Sequence, residues 1–138
     1  MLKLLVGLKG TGKTKTLINM VNTSLEKTNG NVVCVEKGNK LIHEIKYQAR
    51  LIDTDEYLIS NGEELIGFLA GIAASNHDVT DLFVDAILKI CGNEPDAFAS
   101  FVTKANELSE KHSVNIVVTA SIAPENVPES IRRFIIEH

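Results

Sequence analysis

Tryptophan is absent from this 138-residue chain, and aromatic residues make up only 5% of it. Platforms on which single-stranded bases could stack are therefore thin. A lysine- and arginine-rich stripe is also missing, and the formal net charge of −4 has the wrong sign for a general polyanion binder. Both absences argue against nucleic acid as the main partner. There are two cysteines, Cys34 and Cys91, far apart and outside any C-x-x-C pair. That spacing argues against zinc, and a domain of this size does not need a disulfide, so both read as buried free thiols. No segment approaches the roughly 20 apolar residues of a membrane span, and the N-terminal apolar stretch is too short for a signal peptide. The expectation is a cytoplasmic protein with no membrane partner.

Low-complexity segments, repeats and linkers are missing as well. What remains is 44% hydrophobic and 23% charged, an ordinary globular balance. The length predicts one domain, residues 1–138, large enough to bury a core. Apolar strands alternate with amphipathic helices, the signature of a parallel sheet covered on both faces. Strands are expected at 2–6, 32–36, 49–52, 81–88 and 115–119. The first helix carries Leu17, Ile18, Val21 and Leu25, and a second is expected after Asn39 with Leu41, Ile42 and Ile45 inward. Another starts near Ser60–Glu64 with capping-box spacing. Gly67 and Gly71 on it suggest a close helix-to-sheet contact. A further helix follows Pro95, with Phe98, Phe101, Val102, Ala105 and Leu108 inward. Residues 131–136 read as an edge strand, with a terminal helix as the alternative. The fold class is α/β: a three-layer α/β/α sandwich on a mainly parallel sheet of five to six strands.

Residues 7–14 carry the strongest signal. Gly7-Leu8-Lys9-Gly10-Thr11-Gly12-Lys13-Thr14 fits G-x-x-x-x-G-K-[ST], the phosphate-binding loop, and it sits between a strand and a helix. A chance match to the four fixed positions is on the order of one in a few hundred at average glycine usage, so an incidental glycine turn is the weaker reading. Gly7, Gly10 and Gly12 let successive amides converge on an anion. The following helix adds its unpaired N–H groups. Lys13 supplies a point charge for the outer phosphates, and the Thr14 hydroxyl suits a magnesium ligand. Lys9, Thr11 and Lys15 complete the set of phosphate-contact candidates, with Lys9 and Thr11 the weaker members.

A magnesium-nucleotide site also needs a carboxylate at the end of a neighbouring apolar strand. Leu82-Phe83-Val84-Asp85 offers Asp85. The next residue is Ala86, so no glutamate stands beside it to activate water. Ligands sit at the carboxyl ends of strands in open parallel sheets, which leaves Glu36, Asp53 and Asp55 as candidate bases, with Thr119 and Ser121 on the fifth strand.

Taken in order, the Gly7–Thr14 loop, the strand ending at Glu36 and the Leu82–Asp85 strand resemble the RecA-like group of recombinase and circadian-clock ATPases. The resemblance implies that Glu36 is the catalytic glutamate and that Thr119 or Ser121 senses the γ-phosphate. Only the phosphate loop is specific in sequence. The chain departs from recombinases in stopping soon after the fifth strand, without their DNA-binding loops. Leu8 rather than a lysine follows the first glycine, unlike the partitioning ATPases. Thymidine kinases are disfavoured by the lack of a four-cysteine lasso.

The resulting expectation is Mg2+ and ATP as cofactors, with slow hydrolysis by Lys13, Asp85 and Glu36. No N-K-x-D-type guanine signature occurs, which favours ATP over GTP. A nucleotide-dependent switch with negligible turnover is the alternative, and a small-molecule kinase the third reading. A protein partner or homo-oligomer stays open, as does an arginine finger from Arg132 or Arg133.

Overall fold

The computed structural model describes residues 1–138. Five strands form one all-parallel sheet: β1 Lys3–Gly7, β2 Asn31–Glu36, β3 Arg50–Asp53, β4 Val79–Val84 and β5 Asn115–Ser121, in the order β1-β5-β4-β2-β3. The helices are α1 Lys13–Lys27, α2 Gly62–Ser75, α3 Ile87–Cys91 and α4 Pro95–His112. Strand side chains alternate between faces. Leu4, Val33, Leu82 and Ile116 face a core shared with α2, α3 and α4. Leu5, Cys34, Phe83 and Val117 face a second core under α1. The sandwich is thus three-layered and P-loop NTPase-like, as the alternation predicts. No helix is long and apolar enough to cross a membrane.

Four expectations need correcting. Residues 37–49 form turns, not a helix. Asp53 takes the Gly38 amide (2.8 Å) and Glu36 takes the Leu41 amide (2.9 Å), so amides that would begin the helix are held by strand-end carboxylates. One α-type bond survives, from the Ile45 amide to the Leu41 carbonyl (3.1 Å). The apolar spacing still reports burial, since Leu41 and Ile45 are buried while Ile42 is exposed. β4 ends at Val84, short of Leu88. The chain turns at Ala86, which takes φ +54°, and Ile87 and Ile90 then enter the core from α3.

Gly67 and Gly71 meet nothing within 4 Å of a would-be Cβ, so neither marks a close approach. That role belongs to Gly62, where a Cβ would lie 3.2 Å from Cys91 Cβ. Asn61 caps α2 by accepting the Glu64 amide (2.8 Å), while the Glu64 carboxylate accepts from the Ser60 amide and hydroxyl. Finally, 129–134 is a 3-10 helix with Ile131 and Phe134 buried one turn apart. Ile135 and Ile136 reach the free edge of β1 through a single bridge at Leu4 and one amide bond to its carbonyl (3.0 Å), and the His138 ring adds a bond to the Val6 carbonyl (3.0 Å). The sheet therefore has five strands, not six.

Candidate functional site

Strand register gathers the polar residues. Val84 stands level with Val35 and Val118 in the sheet. Asp85, Glu36 and Thr119 are each one residue further along, so they share a row at the carboxyl end. All three lie two residues beyond a side chain of the α1-side core, namely Phe83, Cys34 and Val117. Period-two alternation therefore turns them to the face where α1 begins. The phosphate loop joins β1 to α1 at that same corner.

Within the loop, Gly10 and Gly12 take φ +87° and +88°, a region that disfavours side chains. Gly12 caps α1 without any side-chain bond. The Thr11 amide and hydroxyl both donate to the Leu8 carbonyl, at 3.2 and 2.8 Å. The amides of Gly10, Gly12, Lys13 and Thr14 have no acceptor in the chain. Such a row of orphan donors at a helix start is an anion cradle. Lys13 is buried, and its Nζ donates to the Leu8 carbonyl (3.1 Å). Burial lowers its pKa, partly offset by the charge of Asp85. Thr14, Lys9 and Lys15 are exposed.

Asp85 is buried beside this loop. Its Oδ1 accepts a strong bond from the Thr119 hydroxyl (2.6 Å) and a long one from Thr14 Oγ1 (3.5 Å). Thr119 in turn accepts the Ala86 amide (2.7 Å), so one hydroxyl holds both Asp85 and the left-handed residue after it. This positioning of the carboxylate has no signature in sequence; it needs β5 to lie beside β4. Ser121 is exposed at the strand end. No group of three or more His, Cys, Asp or Glu side chains is assembled for a metal. Magnesium needs few protein ligands beside phosphate oxygens and water, and the facing Thr14 hydroxyl and Asp85 carboxylate fit that requirement.

Glu36 is almost fully buried. Burial raises its pKa, the Leu41 amide opposes that shift, and the charge of Asp85 adds to it. Cys34, one turn of the pleat below, is raised too, by burial first and then by Asp85 and Glu36. Like Glu36, which holds the Leu41 amide, the other candidate bases have partners of their own. Asp53 Oδ1 accepts the amides of Gly38 (2.8 Å) and Asp55 (2.9 Å), and Asp55 pairs with Lys37 at 2.7 Å on the surface. Arg132 donates to the carbonyls of Val127 and Glu125, and Arg133 stacks on Phe134 at 4.4 Å.

The fold has a counterpart among solved structures. The structure of C. elegans PCH-2 superposes with a TM-score of 0.56 at 16% identity, over 99% of this chain. It is the P-loop fold. The chain spans about a third of that protein (34%), so the likeness concerns one portion of it. No family model matches the sequence, and no curated protein matches it. At this identity the likeness speaks for architecture alone.

Proposed function

We propose that residues 1–138 act as a single nucleotide-binding domain that takes Mg-ATP and hydrolyses it slowly. The carrying observation is the convergence of four orphan loop amides, the Lys13 ammonium and the Thr14–Asp85 pair at one corner of the sheet. The P-loop NTPase-like fold supports the reading. In it, the amides of Gly10 to Thr14 and the Lys13 ammonium bind the phosphates, with Gly7 shaping the turn and Lys9, Thr11 and Lys15 at its rim. Thr14 and Asp85 would hold Mg2+, which when bound neutralises charge on the phosphate oxygens. Thr119 keeps Asp85 in place. Glu36 accepts the proton of the attacking water, and its raised pKa brings it nearer the pH at which a general base works best.

Phosphate release by the wild type and by Glu36→Gln tests the activity. Turnover above background in the wild type and its loss in the variant are expected. A wild type that binds ATP without turnover would instead favour a nucleotide switch, a reading that one observation supports: Glu36 is tied through the Leu41 amide to the 37–49 loop. A change at Glu36 would then be passed to that loop and to whatever protein partner or second copy it meets.

A further inference from the structure

Residues 134–138 run along the free edge of β1 towards the phosphate loop. Phe134 is fully buried and anchors the segment in the core shared with α4. Ile135 packs against that core and Ile136 against the core under α1, so successive side chains straddle the sheet edge as a strand's would. The backbone makes one ladder bond, from the Ile136 amide to the Leu4 carbonyl (3.0 Å), beside the parallel bridge of Leu4 with Ile135. In a regular parallel ladder the next bond runs two residues on, from the His138 amide to the Val6 carbonyl. The His138 ring takes that place, with Nε2 at 3.0 Å from the Val6 carbonyl oxygen. A carbonyl only accepts, so the ring nitrogen donates.

The Val6 carbonyl belongs to the peptide that joins β1 to the phosphate loop. The other half of that peptide is the Gly7 amide, which trans geometry turns the opposite way, towards β5. Ser121 stands level with Gly7 on that side, and Ile122 bridges it. The first residue of the loop is thus held between β5 and the His138 ring. It is also closely surrounded: a Cβ at Gly7 would lie 2.5 Å from the Thr11 hydroxyl oxygen and 3.6 Å from His138 Nε2. The Thr11 hydroxyl in turn donates to the Leu8 carbonyl (2.8 Å), which also accepts the Lys13 ammonium (3.1 Å). A rotation of the Val6–Gly7 peptide is therefore passed through Thr11 and Leu8 to Lys13.

We propose that His138 is a positioning residue for the phosphate loop: by holding the Val6 carbonyl it keeps the Val6–Gly7 peptide oriented for phosphate, and bound phosphate in turn tightens residues 135–138 on β1. The second half follows from the reciprocity of coupling between two sites. The inference rests on the nucleotide-binding reading above and adds a link from that site to the edge of the sheet. The ring is exposed, so replacing it opens no cavity in either core.

Calorimetric titration with Mg-ATP tests the role in wild type, His138→Ala, His138→Gln and a remote control, His112→Ala, at the end of α4. A glutamine amide nitrogen reaches about as far as Nε2 and donates the same bond without carrying a charge. Loss of one hydrogen bond predicts ATP affinity about threefold to tenfold weaker in His138→Ala. His138→Gln and the control should match wild type. Hydrogen exchange at the Ile136 amide supplies a second readout. ATP should slow it in wild type and in His138→Gln, and leave it unchanged in His138→Ala.

A bond that merely fastens the segment would speed Ile136 exchange in His138→Ala without changing ATP affinity, and that result overturns the proposal. Weakened ATP binding that glutamine does not restore would assign the effect to the imidazole itself and overturn it too. So would Ile136 exchange in the wild type that ignores ATP. A wild type that binds no ATP would sink the nucleotide reading and this role together. Equal ATP binding by all four proteins would sink the role of His138 alone.

Discussion

β4 carries two buried aspartates, Asp81 near its start and Asp85 just past its end, with 7% and 8% of their surface exposed. Burial does not separate them; partners do. Both oxygens of Asp81 are engaged: Oδ1 accepts from Ser24 Oγ (3.4 Å) and Asn115 Nδ2 (3.2 Å), and Oδ2 from Thr80 Oγ1 (2.7 Å). At Asp85 only Oδ1 is engaged, by Thr119 closely and by Thr14 loosely. Asp81 also lines a groove of about 740 Å3 between α1 and the starts of β1, β4 and β5, at the end of the sheet away from the Gly7–Thr14 loop. A buried carboxylate with both oxygens bonded to the chain is a structural part, and one with an oxygen to spare beside an anion cradle is equipped for a ligand.

The largest effect should fall at the carboxyl end. Lys13→Ala removes a buried ammonium aimed into the phosphate loop and should weaken ATP binding about 100-fold, near the upper range for a bond to a charged group. Asp85→Asn keeps an oxygen for the Thr119 hydroxyl, so it should fold normally and lose the magnesium-dependent share of ATP affinity. Titrations with and without Mg2+ measure both. If ATP affinity were untouched by Lys13→Ala, the loop would be only a turn.

At the other end the ranking reverses. Asp81→Ala leaves Ser24, Thr80 and Asn115 without their acceptor and should cost about 2 kcal/mol of stability. ATP affinity should stay at the wild-type value. Denaturant unfolding alongside calorimetry checks this, and the contrast between the two aspartates collapses if Asp81→Ala weakens ATP binding as Asp85→Asn does.

A pH experiment separates a buried base from a buried strut. The folded chain holds the Glu36 proton more tightly than the unfolded chain, because burial and Asp85 raise its pKa above the ordinary 4.5. This contribution to stability is fully present below about 4.5 and is lost as pH rises through the raised folded value. Gln at position 36 does not ionise and still offers an oxygen to the Leu41 amide. The melting temperature of Glu36→Gln relative to wild type should therefore climb between pH 4 and 7. A flat difference would mean that the carboxylate is as well accommodated as water would make it.

How much of this was legible in the sequence depended on how local the cause was. The phosphate loop is local: glycines, a lysine and a threonine in fixed order between a strand and a helix. Asp85 and Glu36 were legible because each ends an apolar run, and the ends of parallel strands share one edge. The turns at 37–49 were not, because the carboxylates that hold their amides, Glu36 and Asp53, come from different strands. Thr119's grip on Asp85 depends likewise on a strand neighbour that no spacing reveals. Asp81 was unremarkable in sequence for the same reason, since its donors come from α1, β4 and β5.

The smallest effects test whether the carboxyl end also depends on α3, the helix that follows Asp85. Gly62 at the start of α2 lies against Cys91 at the end of α3, and a Cβ there would come within 3.2 Å of Cys91 Cβ. Either helix must shift by a few tenths of an ångström to accept Gly62→Ala. Gly67, five residues on, faces open space. Gly67→Ala should gain the ordinary helix advantage of about 0.5–1 kcal/mol, raising the melting temperature by about 3 °C per kcal/mol for a chain of this length. Gly62→Ala should forfeit that gain and show a lower melting temperature than Gly67→Ala. Because α3 follows directly on Asp85 and Ala86, Gly62→Ala should also lower ATP affinity slightly. Equal melting temperatures for the two variants would mean that α3 yields freely, and that the row at the carboxyl end is held by Thr119 without help from the helix behind it.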